Sequence, residues 1–221
     1  MKILHLETSS KNCSVALSEN DQLISLCEEV SENYKQSESL HTFVKWALEG
    51  AELSLQDIQA VSLGKGPGSY TGLRIGASAA KGFCFGLNVP LVAINSLETM
   101  VEPFLNQGYR YIVPMVDARR MEVYSAVFDG TSGQLLSETE AKILSEDSFS
   151  ELNGETLFVG DGAKKASEIL KTPKAQFLSE VYPSARFLLK KATEKIRNQQ
   201  TEDVAYFEPF YLKDFHGIKK K

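Results

Sequence analysis

Short apolar runs that close on a carboxylate alternate along this chain with stripes of helical period, the pattern of an α/β protein. Residues 3–6 form an apolar run closed by Glu7; Cys13-Ser14-Val15-Ala16-Leu17 then alternates, Glu19-Asn20-Asp21 turns, and Gln22-Leu23-Ile24-Ser25 returns. The same succession recurs in the second half. Residues 112–116 close on Asp117, residues 123–128 follow, Asp129-Gly130-Thr131-Ser132-Gly133 turns, and Gln134-Leu135-Leu136-Ser137 returns. Glu7 and Asp117 are 110 residues apart, and Gln22 and Gln134 are 112 apart. Order and spacing together predict a duplicated α/β fold whose halves each open with a three-stranded meander and continue into helix and strand. The polar turn Asn106-Gln107-Gly108 is the expected division, giving lobes 1–107 and 108–221.

Between the meanders, Leu40, Phe43, Val44, Ala47, Leu48 and Ala51 set a helical stripe that predicts a helix over 39–53. Trp46, the single tryptophan, lies roughly 120° from that stripe on a wheel of 3.6 residues per turn. It is either an interface anchor or a ring tucked under a loop of the same chain. Residues 58–63 read as a buried strand and 73–85 as a helix, with Ser69 or Thr71 available as its cap. In the second half, 156–159 reads as a strand, Gly160-Asp161-Gly162 as a turn and 163–170 as a helix. Pro183 then opens a helix with core face Ala185, Leu188, Leu189, Ala192 and Ile196, and the aromatic segment 206–212 is expected to anchor the tail.

The stretch from Gly64 to Gly76 places five glycines between a strand and a helix. A glycine loop that opens a helix is either a phosphate cradle or a plain tight turn. The P-loop spacing is absent, since Lys65 sits second in the loop and is followed by Gly66. The dinucleotide fingerprint starts with Gly64 and Gly66 but has Ser69 where its third glycine belongs. In the helix itself Gly72, Gly76 and Ala80 recur every four residues, with Ala77, Ser78, Ala79 and Gly82 nearby, so one side is nearly bare of side chains. Such a ridge admits a close helix neighbour, in this chain or in a partner.

Composition narrows the picture. A chain of 221 residues with 43% hydrophobic residues has ample material for a packed core, and no apolar run approaches membrane-spanning length, which predicts a cytoplasmic protein without a membrane partner. Cys13, Cys27 and Cys84 lack any metal or redox spacing and read as reduced, buried thiols. A net charge of -5 argues against holding RNA unaided, and Lys219-Lys220-Lys221 reads as a solvated tail.

Candidate catalytic chemistry is sparse. His5, His41 and His216 are separated by 36 and 175 residues, so no helical His-x-x-x-His metal pair exists. No Gly-x-Ser-x-Gly elbow is present, and Ser69 is better explained as turn or cap chemistry. Glu7 and Asp117, at equivalent places in the two meanders, are the best acidic pair for one cleft.

The opening Ile3-Leu4-His5-Leu6-Glu7-Thr8-Ser9, the Gly64-to-Gly76 block, Val116-Asp117-Ala118-Arg119 with Glu122-Val123-Tyr124, Gly160-Asp161-Gly162 and Pro209-Phe210-Tyr211-Leu212 together resemble one family over essentially the whole chain. It is the bacterial tRNA threonylcarbamoyladenosine biosynthesis family TsaB (YeaZ-type, glycoprotease-like), in the actin-like, Hsp70-like (ASKHA) superfamily. The resemblance implies two lobes of mixed sheet flanked by helices and a scaffold without stand-alone activity. It implies a heterodimer with a TsaD-type catalytic subunit that transfers a threonylcarbamoyl group to N6 of adenosine 37 in tRNAs reading codons that begin with A. A small TsaE-type ATPase joins the assembly, and ATP and a metal ion belong to those partners; this chain is expected to need no cofactor and to meet tRNA only through the complex. The family's partner-docking helices map onto Gly72, Leu73, Gly76, Ala80 and Phe83 and onto the 39–53 helix, with Trp46 at the edge, and a homodimer is left open for the isolated chain. Glu7, Asp117 and Arg119 are then a vestigial cleft. The alternative kept beside this reading is an ATP-binding ASKHA enzyme, an ATPase or kinase-like protein using Glu7 and Asp117.

Overall fold

The computed structural model describes residues 1–32, 36–172 and 174–213. In chain order the elements are β1 (Lys2–Glu7), β2 (Asn12–Glu19), β3 (Gln22–Val30), α1 (Gln36–Gly50), β4 (Ala60–Gly64), α2 (Tyr70–Leu87), β5 (Leu91–Ile94) and α3 (Ser96–Val101). The second half adds β6 (Tyr111–Asp117), β7 (Glu122–Ser125), β8 (Phe128–Asp129), β9 (Glu140–Ile143), β10 (Thr156–Val159), α4 (Ala163–Ser167), β11 (Ala175–Leu178) and α5 (Leu189–Arg197).

The duplication is visible in the sheets. The first runs β3-β2-β1-β4-β5, with β1 antiparallel to β2 and parallel to β4. The second, read as β9-β7-β6-β10-β11, repeats that order, with β6 antiparallel to β7 and parallel to β10. One predicted strand falls elsewhere. The return expected at 134–137 is β9, six residues later at 140–143, because the meander breaks after β7. β8 pairs back on the start of β6, Ile112 opposite Phe128, and residues 134–137 lie against that break, Leu136 N donating to Val127 O at 2.8 Å. With Leu135 and Leu136 about half exposed, their apolar pair never formed the buried face that its alternation promised.

α1 and α2 cover one face of the first sheet, packing Leu40, Phe43, Val44, Ala47, Leu48, Ala77 and Ala80 on Leu4, Leu6, Val15 and Leu17. The opposite face takes the 3-10 turn Ala185–Phe187 and α5, where a single helix from Pro183 was expected: Ala185, Leu188, Leu189 and Ala192 pack on Ile3, Ala16, Ala60, Val92 and Ile94. The chain thus crosses between the lobes more than once. α3 packs its Leu97, Met100 and Val101 with Ile112, Val116 and Phe128 of the second sheet, while α5 returns from beyond residue 180 to the first.

The returning segment is pinned by Glu28, whose carboxylate accepts from Ser184 Oγ at 2.6 Å and pairs with Arg186 at 2.5 Å. Burial by itself would raise the Glu28 pKa; these bonds outweigh it and hold the carboxyl below its ordinary value. The aromatic tail docks as expected on the first lobe. Phe207 is buried, Phe210 N donates to Lys65 O at 2.8 Å, and the Tyr211 ring lies 5.0 Å from that of Tyr70.

Candidate functional site

The glycine stretch grips the turn that follows β1. Thr8 Oγ1 donates to Gly72 O at 2.8 Å, Ser69 N donates to Ser9 O at 2.6 Å, and Ser69 Oγ caps α2 by accepting from Gly72 N at 3.3 Å. A Cβ at Gly72 would stand 2.1 Å from Thr8 O, one at Gly76 2.3 Å from Thr8 Oγ1, and one at Gly68 2.2 Å from Ser9 O. These approaches are closer than any side chain tolerates, which is why the positions are glycine. α1 starts on the same turn, Gln36 Nε2 donating to Ser10 O at 2.5 Å.

This geometry corrects the expected docking ridge. Gly72, Leu73, Gly76 and Ala80 face inward: Leu73 is 2% exposed, Ala80 is fully buried in the core under α1 and α2, and Gly72 and Gly76 press on Thr8. The bare side of α2 serves a neighbour in its own chain, so those four residues are unavailable to a partner.

The surface between α1 and α2 lies on the outer side. A groove of about 610 Å³ is lined by Ser37 and His41 of α1 and by Arg74, Ile75, Ser78, Ala79, Gly82 and Phe83 of α2. Phe83 is half-buried, with the His41 ring edge-on at 5.7 Å. Gly82 and Gly86 have open space where a Cβ would point. Phe85 of α2 is 87% exposed and Trp46 of α1 54%, its ring against Phe43 at 5.8 Å. Arg74 stacks over Tyr70 at 4.5 Å, linking the groove to the docked tail.

The acidic pair is also corrected. Glu7 faces no cleft: it is fully buried, with Oε1 accepting from Ser9 N at 2.8 Å and Oε2 from Ser96 Oγ at 2.9 Å. Burial pushes its pKa up, and the bonds from Ser9 and Ser96 oppose the shift. Gly64 makes room for it, since a Cβ there would be 1.9 Å from Glu7 Oε2. The Ser9 amide donates to Glu7 and the Asn12 amide to Ser10 Oγ, so these two backbone donors of the turn are spent within it.

The equivalent turn of the second lobe is open. Asp117 Oδ1 accepts from Lys165 Nζ at 2.9 Å and from Arg119 N at 2.6 Å, and Asp117 N donates to Asp161 Oδ1 at 2.8 Å. Burial raises the Asp161 pKa against that bond. Arg119 and Arg120 are exposed.

The remaining chemistry-bearing side chains are packed away. His5 is fully buried, bonded through Nδ1 to Ser62 Oγ at 2.6 Å and through Nε2 to Ser18 Oγ at 2.7 Å. Burial holds its pKa down to about 3, so the ring is neutral. The three cysteines are free thiols; burial pushes Cys13 and Cys84 up to about 12, while Cys27, expected to be buried with them, is only half-buried because it lies on the edge strand β3. His216 lies outside the described residues, among which no helix is long and apolar enough to cross a membrane.

Two lobes of repeated mixed sheet, with a pair of helices mounted on the first inter-strand turn, define the class to which comparison then assigns the chain. Residues 28–217 match the family model described as "TsaD: tRNA N6-adenosine threonylcarbamoyltransferase". The Escherichia coli tRNA threonylcarbamoyladenosine biosynthesis protein TsaB is 30% identical over 100% of this chain and 98% of its own length, and the Haemophilus influenzae TsaB is 28% identical over 100% and 97%. A solved structure, YeaZ from Pseudomonas aeruginosa, superposes with a TM-score of 0.84 at 25% identity, covering 96% of this chain and 99% of that one. The chain belongs to the TsaB family, within the broader threonylcarbamoyltransferase family that the model describes.

Proposed function

We propose that this chain is a non-catalytic accessory subunit in the formation of N6-threonylcarbamoyladenosine at position 37 of tRNAs reading codons that begin with A. Its task is to dock on and activate a TsaD-type catalytic subunit, in an assembly joined by a TsaE-type ATPase. In this reading ATP and a metal ion belong to the partners, the tRNA reaches the chain only as part of the assembly, and the complex works in the cytoplasm.

The observation that carries the reading is the α1–α2 groove. A mostly apolar trough lined by Phe83, on two helices that also expose the rings of Trp46 and Phe85, is the kind of surface on which aromatic anchors supply binding energy. Gly82 and Gly86 keep that face low enough for another helix to lie close. The docking face is therefore Trp46, Phe83, Phe85, Gly82 and Gly86 in place of the inward ridge.

The test is reconstitution of the tRNA modification from purified subunits with this chain omitted, added back, and added back as Gly82→Arg. Product forms only with the wild-type chain, and the variant folds normally yet fails to copurify with the catalytic subunit. Full modification without this chain would end the proposal.

A further inference from the structure

Two consecutive arginines stand at the tip of the β6–β7 hairpin in the left-handed region, Arg119 at φ 69° and Arg120 at φ 50°. L residues take that conformation at a cost and hold it only where the surroundings over-determine it. Here they do. Lys165 spends its ammonium donors on Asp117 Oδ1 at 2.9 Å, Arg120 O at 2.9 Å and Glu122 O at 2.5 Å, while Asp117 carries Arg119 N and is itself tied to Asp161. The turn's carboxylates are thereby occupied by other cations, Asp117 by Lys165 and Glu122 by Lys213. Both arginines are exposed, and neither guanidinium enters an ion pair among the described residues. A chain of net charge -5 has thus gathered uncompensated positive charge at one rigid turn.

We infer that the Arg119-Arg120 turn is a contact for the phosphodiester backbone of the tRNA held by the assembly, an inference that rests on the accessory-subunit reading above. The planar guanidinium donates in a fork that matches phosphate oxygens, and a pre-set turn presents two of them without an ordering cost at the moment of binding. Contacts of this kind fix register and orientation and carry no base sequence, which suits a subunit that positions the RNA while another acts on it. The acidic balance of the whole chain keeps it from holding RNA alone, so the contact operates within the complex.

The experiment measures binding of fluorescently labelled tRNA to the assembled complex from about 50 to about 200 mM salt. Three forms of the chain are compared: wild type, Arg119→Asn with Arg120→Asn, and Arg119→Lys with Arg120→Lys. Asparagine tolerates the left-handed conformation and lysine keeps the charge. The asparagine pair is expected to weaken binding between about tenfold and a hundredfold at 0.1 M salt and to shrink the slope of log affinity against log salt by about 1.5 to 2, while the lysine pair retains the slope. Normal assembly with unchanged tRNA affinity in the asparagine pair overturns the inference and leaves the accessory role standing. Loss of assembly with the catalytic subunit, at unchanged tRNA affinity of what assembles, overturns it in favour of an acidic protein surface. If the wild-type chain adds nothing to tRNA binding or modification, the accessory reading falls and takes this inference with it.

Discussion

After β1, Glu7 is fully buried and the next residues are clamped between Gly68, Gly72, Gly76 and Gln36; after β6, Asp117 keeps a side chain 44% exposed and leads into two outward arginines. The strands are equivalent in the repeated topology, and the carboxylates end them at the same place. The contrast extends inward. His5 of β1 sits in a polar nest of Ser18 and Ser62, whereas Met115, its counterpart 110 residues later, is buried in an apolar cluster. One copy of the turn has become a mount: it carries the starts of α1 and α2 and hence sets the groove between them. The other has stayed a surface loop braced by Lys165.

The hardest way to break this comparison is to add a side chain to the clamp. Gly72→Val is expected to lose more than about 3 kcal/mol, because its Cβ would meet a backbone carbonyl that can move only with the whole turn. Urea denaturation measures it, and a variant as stable as wild type would show that the turn is not fixed by α2.

Acid tests the polar nest next. With the His5 pKa held down to about 3 against 6.5 in the unfolded chain, the unfolded state binds the extra proton between those values, so stability falls as pH falls, by about 1.4 kcal/mol per unit. Glu7, raised above its ordinary 4.5, acts in the opposite sense: the folded carboxyl takes its proton first as pH drops, which opposes the loss from its folded pKa down to 4.5. Denaturation midpoints collected from neutral pH to about pH 5 should fall more steeply, or rise less, in wild type than in His5→Asn; equal slopes contradict the buried neutral ring.

A paired substitution compares the two carboxylates directly. Glu7→Ala strands the Ser9 amide and the Ser96 hydroxyl in the interior and should cost about 2–3 kcal/mol, while Asp117→Ala, part-exposed and bonded to a lysine with two other acceptors, should cost under about 1 kcal/mol. Equal losses by thermal melting would erase the distinction between sealed and open turns. The smallest effect is of opposite sign: Gly86→Ala, pointing into open space on the outer face of α2, should gain about 0.5–1 kcal/mol from helix propensity alone.

Much of the architecture was legible along the chain because burial has a period. The stripe Leu40, Phe43, Val44, Ala47, Leu48 became the inner face of α1, Ala185, Leu188, Leu189 and Ala192 became the face that covers the first sheet, and the 110-residue echo of Glu7 in Asp117 announced the repeated topology. Trp46, off its stripe, is exposed. β5, α3 and β11, of four, six and four residues, escaped notice because they are brief, and the return strand was expected at 134–137, since β9, at the sheet edge with Ile143 72% exposed, shows no buried alternation.

What the amino-acid sequence determined by itself was the duplication, the family and the longer elements, since apolar period and the Gly64-to-Gly76 block are local properties of the chain. Which way the bare side of α2 turns, and that Glu7 is sealed while Asp117 is not, only the tertiary structure decided. Small residues carry no hydrophobic signal that separates an inward neighbour from an outward one. The burial of a carboxylate depends on Gly64, Ser96 and Ser9, brought around it from distant positions by the folding of the whole lobe.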